Sequence, residues 1–138
     1  MRARNIKPGL YKDEELACLP IEARYLFPGL WLLADVKGRL EDRPRWIKSE
    51  IYPYDDQILA SRVDELLNLL QEAFFIRRYE VDGNRYIQVV NFEKDQHPHK
   101  NEIARGSHIP PPAELRPTTI QPDASPGDDE PRPGLQLI

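Results

Sequence analysis

Apolar residues along the first hundred positions recur at helical spacing in two long stretches. Between residues 21 and 35 they fall every three or four positions, which predicts an amphipathic helix. Pro28 lies inside this stretch, so the helix either kinks there or divides in two. The same spacing in residues 54–75 predicts the strongest helix of the chain, with an acidic start at Asp55 and Asp56.

Two shorter helices are predicted from proline positions and capping residues. Residues 13–19 form a short helical turn that Pro20 closes. A further helix opens at Pro44 and stops before Pro53, and Asp42 is placed to cap it. The pattern therefore adds one helix on each side of the first long one.

Strand patterns occupy two places. Residues 39–41 predict a strand too short to be stable alone. The stretch "RRYEVDGNRYIQVVNF", residues 77–92, predicts a β-hairpin around Asp82 and Gly83. A two-residue type I′ turn at that point fixes which residues of the two strands lie opposite each other. The predicted pairs are Tyr79 with Tyr86 and Glu80 with Arg85.

The composition changes after residue 100. Residues 101–138 hold eight of the fourteen prolines and no aromatic residue, so they offer little apolar area to offset the entropy of ordering. The sequence therefore predicts a domain at residues 1–100, followed by a disordered, proline-rich linker or tail at residues 101–138.

The order of these elements indicates the fold class. A helix, a short strand, two helices and a hairpin is the order of a winged helix-turn-helix domain. An isolated hairpin is barely stable in water, so this one must pack on the helices with its apolar side. We expect an α+β protein, mainly α, with a C-terminal hairpin as its wing.

Several fragments in the same order also resemble a known family. They are "RARNIKPGLYKDEELA", "LFPGLWLLADVKGRLEDRPRWIKSEIYPYD", "IRRYEVDGNRYIQVVNF" and "KDQHPHKNE". Together they are similar to the N-terminal domain of bacteriophage and prophage replication proteins, of the replisome-organiser or replication-initiation type. The resemblance implies a winged helix that binds duplex DNA at an origin. It also implies recruitment of a helicase or helicase loader, through the tail or through a C-terminal region that this chain lacks.

The charge distribution limits where DNA could bind. The net charge is −4, but residues 1–100 hold 16 basic and 17 acidic residues, so any basic face must be local. The candidate phosphate contacts are Arg2, Arg4 and Lys7 on the N-terminal arm, Arg43, Arg45 and Lys48 around the helix at Pro44, and Arg77, Arg78 and Arg85 on the hairpin. The alternative is that these cations form the ordinary solvated surface of a charged protein.

The helix predicted at residues 54–75 is the candidate recognition helix. Its outward side chains suited to base edges are Gln57, Ser61, Arg62 and Asn68. Asp64, Glu65 and Glu72 would repel phosphates unless they point away. We therefore expect the amino-terminal half of this helix to enter the major groove and the acidic half to stay clear.

Protein docking and transcriptional regulation are alternative functions for the same fold. An acidic third helix could instead dock a protein partner, and a transcriptional regulator would use the same DNA chemistry. His97 and His99 with Asp95 lack the ligand number and spacing of a zinc site, so no metal is expected. No nucleophile or phosphate-loop motif supports an enzyme or a cofactor.

The single cysteine excludes an internal disulfide, and no stretch is apolar enough for a signal peptide or a membrane span. We expect a protein of the cytoplasm of a bacterial host cell.

Overall fold

The computed structural model describes residues 1–113, in which helices alternate with the strands of one sheet. The elements are α1 Gly9–Lys12, α2 Glu14–Ala17, α3 Ile21–Leu33, β1 Arg39–Glu41, α4 Pro44–Ile51, α5 Ala60–Glu72, β2 Ile76–Val81, β3 Asn84–Val89, α6 Phe92–Asp95 and α7 Lys100–Arg105. The α3-β1-α4-α5-β2-β3 portion has the predicted order of elements.

The three strands form an antiparallel sheet in the order β1-β3-β2. Asp82 and Gly83 both adopt positive φ, at 53° and 80°, as a type I′ turn requires. The predicted cross-strand pairs, Tyr79 with Tyr86 and Glu80 with Arg85, are confirmed by the register. The short strand β1 is stabilised by pairing with β3, where Leu40 lies opposite Ile87.

The core lies between the inner face of the sheet and the three longer helices. Each element contributes residues that are almost fully buried. They are Leu26 and Leu30 from α3, Ile47 from α4, Leu66 and Leu70 from α5, and Leu40, Ile76 and Ile87 from the sheet. The long-range packing of α5 on α3 and α4 fixes the pair of helices that precede the hairpin.

Helix α3 runs undivided through Pro28. Of the two alternatives at this position, a division into two helices is wrong. The next residue, Gly29, allows α3 to approach α4 closely, because an added Cβ atom would lie 2.7 Å from Cδ1 of Ile51. Gly29 therefore serves the packing of α3 on α4.

Two predicted helix starts need correction. The N-cap of α4 is Arg43, without a capping side chain, and the Asp42 carboxylate instead accepts hydrogen bonds from Arg78. Helix α5 begins at Ala60, after turns that contain the acidic residues Asp55 and Asp56. These turns place Ile58 in the core, and its burial outweighs continuation of the helix.

Residues 101–113 differ from the predicted disordered tail. They include most of α7, and Glu102 and Pro112 are buried against the rest of the protein. Long-range contacts order this segment: Arg4 binds Glu102, and Arg39 and Tyr79 bind the carbonyls of residues 109 and 110. The remainder of the predicted tail, residues 114–138, lies outside the described residues.

The fold is α+β, with helices packed on one face of a three-stranded antiparallel sheet, and it is compatible with a winged-helix layout. Within residues 1–113 no helix combines the length and apolarity needed to cross a membrane.

Candidate nucleic-acid interface

A groove lies where the start of α4 meets the turn of the hairpin. Arg43 and Arg85 line it together with the acids Glu41 and Asp42, and its volume is about 270 Å³. The backbone N–H of Asp42 donates to the carbonyl of Arg85 at 2.9 Å, which holds the two segments together. The structure thus brings together two predicted DNA contacts that lie far apart in the sequence.

The exposure of Arg43 and Arg45 follows from how α4 begins. Pro44 occupies the first helical position, where its fixed φ favours the helix. Ile47 and Ile51 face the core, so Arg45 in the first turn is exposed. The Arg43 side chain is 65% exposed, and its 3.3 Å ion pair with Glu41 contributes little stability in water.

Arg4, a predicted phosphate contact, is instead buried in the structure. Its side chain is 2% exposed and binds both carboxylate oxygens of Glu102, at 2.8 and 2.7 Å. It also donates to the carbonyls of Trp31 and Ala34, and its guanidinium lies 5.0 Å from the ring centre of Phe92. Arg4 is therefore a structural residue, and the expectation that it contacts DNA is corrected.

The two remaining cations of the N-terminal arm, Arg2 and Lys7, differ in their contacts with the rest of the protein. Arg2 is 40% exposed, pairs with Glu102 at 3.1 Å and donates to the carbonyl of Ala34. Lys7 is exposed just before α1. Because Arg2 and Arg4 both bind Glu102, the arm lies along α3 and α7 rather than extending into solvent.

Lys48 is held inside its own segment. Its ammonium donates to the carbonyls of Tyr52 at 2.7 Å and Asp55 at 3.2 Å. These carbonyls belong to the end of α4 and to the following turn. The side chain therefore stabilises the α4–α5 connection, and its role as a phosphate contact stays a prediction.

Arg78 is also a structural residue, which joins β2 to α5 and to the start of α4. It makes two hydrogen bonds to the carboxylate of Asp42, at 2.7 and 2.9 Å, and others to the side chains of Asp64 and Asn68. Burial lowers the pKa of Arg78, but the hydrogen bonds that Arg78 donates to Asp42 and Asp64 outweigh it and leave that pKa above its ordinary value. No local sequence pattern links residues 42 and 78, so this network was not predicted.

The outward face of α5 carries an acidic stripe. Its exposed positions follow helical spacing and are Ser61, Glu65, Asn68 and Glu72. Asn68 accepts a hydrogen bond from Arg78, so its amide already has a partner. Gln57 is exposed, but it lies in the turn before α5 rather than on the helix, which corrects its predicted position.

Arg62 joins α5 to α3. Its guanidinium binds Glu22 at 2.9 Å and Glu65 at 3.1 Å. The hydrogen bonds to Glu22 and Glu65 raise the pKa of Arg62 above its ordinary value. To reach a base edge, this side chain would have to leave two carboxylates, so Gln57 and Ser61 are better placed for that role.

The predicted absence of a metal site concerned His97, His99 and Asp95. Among residues 1–113, no group of three histidine, cysteine or acidic side chains is arranged to hold a metal ion. The imidazole of His99 instead accepts a hydrogen bond from the backbone of Asn101 and caps α7.

Comparisons of the chain with models of protein families, with curated proteins and with solved structures found no match.

Proposed function

We propose that this protein is a winged-helix domain that binds duplex DNA, and that it acts in phage or prophage replication. The observation that carries the proposal is the groove between Arg43 and Arg85. In a winged helix, the second helix and the wing approach the same duplex, so cations from both can contact neighbouring phosphates.

The topology supports this proposal. The strand order β1-β3-β2 places the hairpin beside the start of α4, because β1 pairs with β3 and leads directly into that helix. Helix α5 packs on α4 and has an exposed outward face. The three parts that a winged helix uses on DNA therefore lie in their expected order.

The electrostatics favour weak nonspecific binding. Arg43, Arg45 and Arg85 are exposed, whereas Arg4, Lys48 and Arg78 are engaged within the fold. Three phosphate contacts correspond to a slope of about −2.7 in a plot of log affinity against log salt. The acids of α5 would reduce affinity further, so binding depends on a close fit at few phosphates.

Base recognition falls to the amino-terminal part of α5 and the turn before it. Gln57 and Ser61 are exposed there, and both can hydrogen bond to base edges. Glu65 and Glu72 lie further along the helix and make no contact with the bases, although their charges repel the phosphates. This arrangement keeps the expected division of α5 into a DNA-facing half and an acidic half.

The role in replication rests on the resemblance of residues 1–100 to phage replication proteins. Such a domain would hold origin DNA, while a separate region recruits a helicase or helicase loader. A transcriptional regulator would use the same interface, so the choice between the two requires the DNA sequence that the protein prefers.

A binding titration tests the interface. Full-length protein is titrated against random duplex at about 50 mM and about 200 mM salt, with an Arg43→Ala/Arg85→Ala variant. The matched control is Lys37→Ala/Lys94→Ala, which removes the same charge at the other end of β3, about 17 Å away.

We expect the groove variant to bind more weakly and its salt slope to fall by about 1.8, at 0.9 for each lost contact, while the control keeps its slope. Equal effects of the two variants would show that only net charge matters and would reject the groove.

The alternative, a protein-docking winged helix, is favoured by the acidic stripe on α5. It predicts no measurable enrichment when duplexes are selected from a random pool. Enrichment of a defined sequence, lost on Ser61→Ala, would support the DNA-binding function.

A further inference from the structure

A proline-rich stretch of the same chain contacts the outer face of the sheet at Arg39 and Tyr79. Residues 107–112, "SHIPPP", are called the strap below. The guanidinium of Arg39 donates to the carbonyl of Ile109 at 3.0 Å, and the hydroxyl of Tyr79 donates to the carbonyl of Pro110 at 2.7 Å. Pro112, at the end of the strap, is almost fully buried.

The residues under the strap belong to the sheet face opposite the core. Leu40, Ile76 and Ile87 face the core, so the alternate positions of the strands face outward. Among these are Tyr79 and Tyr86, a cross-strand pair whose ring centres are 5.7 Å apart. The face thus combines aromatic surface with donors from Arg39 and Tyr79.

The position of Arg39 is fixed by its cross-strand neighbour, Gln88. Its Nε donates to the side-chain oxygen of Gln88 at 2.9 Å, and Gln88 is buried and donates to the carbonyl of Lys37 at 2.8 Å. The guanidinium is therefore oriented by its neighbours, with Nη1 left to meet the strap. A donor that is already oriented costs little entropy when it binds.

The strap has the chemistry of a polyproline II ligand. Ile109, Pro110 and Pro111 each precede a proline, which restricts all three to extended or polyproline II conformations. A segment in this conformation makes no internal hydrogen bonds, so its carbonyls are available to outside donors. Arg39 and Tyr79 bind two successive carbonyls, and the ring of Tyr79 is paired with that of Tyr86.

We propose that the outer sheet face around Arg39, Tyr79 and Tyr86 is a binding site for proline-rich peptides, and that the strap occupies it in cis. Both donors contact backbone carbonyls, so any segment with the same run of prolines can make the same bonds. The partner is a proline-rich segment of another protein, which displaces the strap. This site is separate from the Arg43–Arg85 groove and does not depend on DNA binding.

The strap occupies this site on the sheet because it is part of the same chain. A tethered ligand competes at an effective concentration in the millimolar range when its linker is short. A free peptide of similar affinity is therefore excluded until the strap is weakened or a stronger ligand arrives. Burial raises the pKa of Tyr79 to about 12.

The test uses the full chain with Pro110, Pro111 and Pro112 changed to serine, and a labelled synthetic peptide, "GSHIPPPA", with the sequence of residues 106–113. We expect the peptide to bind this variant at least tenfold more tightly than the wild type, since the cis competitor is weakened. The same peptide with alanine in place of proline should not bind.

A pair of tyrosine variants locates the site. In the variant with the weakened strap, Tyr79→Phe removes one hydrogen bond and should reduce peptide affinity about fivefold. Tyr54→Phe is the matched control, because Tyr54 is 92% exposed and distant in sequence from the strap contacts; it should leave affinity unchanged. Equal losses in both would reject the site.

Circular dichroism checks that the serine variant folds. If the folded variant does not bind the peptide, the proposal is overturned. If that variant does not fold, the wild-type chain is titrated with millimolar peptide and followed by amide chemical shifts in β2 and β3. Saturable shifts at Tyr79 and Gln88 support the site, and their absence rejects it.

Concentration-dependent dimerisation by exchanged straps would assign the site to a second copy and reject a separate partner.

Discussion

Arg4 and Glu102 lie 98 positions apart in the sequence and form a two-bond ion pair that is almost completely removed from solvent. The pair joins the N-terminal arm to α7, and Arg2 adds a second contact to the same carboxylate. Because both charges are buried, loss of Glu102 would take the carboxylate away from a buried Arg4, and loss of Arg4 would leave Glu102 paired with the partly exposed Arg2. This contact fixes both ends of the described chain to α3.

Removal of this pair should destabilise the fold. Arg4→Ala leaves Glu102 buried with one partner fewer, and we expect a loss of roughly 3 kcal/mol in the free energy of unfolding. Arg43→Ala is the matched control, since its ion pair is exposed and should change stability by less than about 0.5 kcal/mol. Urea unfolding of both variants gives the comparison, and a similar small change in each would show that the buried pair contributes nothing.

The pH dependence of stability should report the same contact. Hydrogen bonds from Arg4 hold the pKa of Glu102 below its ordinary value near 4.5. The unfolded chain therefore takes up this proton first as the pH falls. The stabilisation is complete above about pH 4.5 and is lost as the pH falls towards the lowered pKa.

The measurement is the free energy of unfolding from about pH 7 to about pH 3, for the wild type and Glu102→Gln. The difference in the free energy of unfolding between the wild type and Glu102→Gln should shrink at the acidic end of this range. The exposed ion pair of Glu93 with Lys37 provides the control, because Glu93→Gln should change the free energy of unfolding only slightly. A Glu102→Gln difference that stays constant with pH would contradict the role of the carboxylate charge.

Two glycines with positive φ allow steric crowding to be separated from backbone strain. Gly38 has φ +78°, and an added Cβ would lie 2.6 Å from Cβ and Cγ of Phe92, whereas the same addition at Gly83, φ +80°, meets nothing within 4 Å. Gly83→Ala should cost about 1 kcal/mol of stability from strain alone. Gly38→Ala should cost roughly 2 to 4 kcal/mol, because Phe92 must also shift. Thermal unfolding of the two variants would refute this if their losses were equal.

The acidic stripe of α5 gives a separate test of DNA binding. Glu65→Gln/Glu72→Gln removes two charges that repel phosphates, so affinity for duplex DNA should rise by a factor on the order of 5 at low salt. The control is Glu14→Gln/Glu15→Gln, two exposed acids on α2. Equal increases would reflect net charge alone. Loss of a bound protein partner on removing Glu65 and Glu72, without any effect on DNA, would favour the docking alternative.

Local patterns in the sequence were enough to predict the hairpin and most helices. The Asp82-Gly83 turn determines that Tyr79 faces Tyr86, because a two-residue loop allows one register. The apolar spacing within α3 and α5 likewise predicted their buried faces. In each case the deciding interactions lie within a few residues of each other, so their spacing is visible in the chain itself.

The candidate interface was only partly predictable. The sequence indicated nine cations on the arm, α4 and the hairpin, and the structure divides them by their partners. Arg43 and Arg85 meet at one groove, while Lys48 is bound by carbonyls of its own turn. Which arginine remains exposed depends on which acids and carbonyls the fold brings beside it, and spacing along the chain does not encode that.

The sequence by itself determined the order of α3, β1, α4, α5, β2 and β3 and the turn that sets the hairpin register, because these follow from backbone preferences and apolar periodicity over short distances. Only the tertiary structure decided that Arg4 is buried against Glu102 and that the strap lies on Tyr79. The composition of residues 101–113 predicts disorder when the segment is considered alone. Their order comes from partners on the N-terminal arm, β1 and β2, whose contacts offset the entropy of fixing the segment only after the rest of the chain has folded.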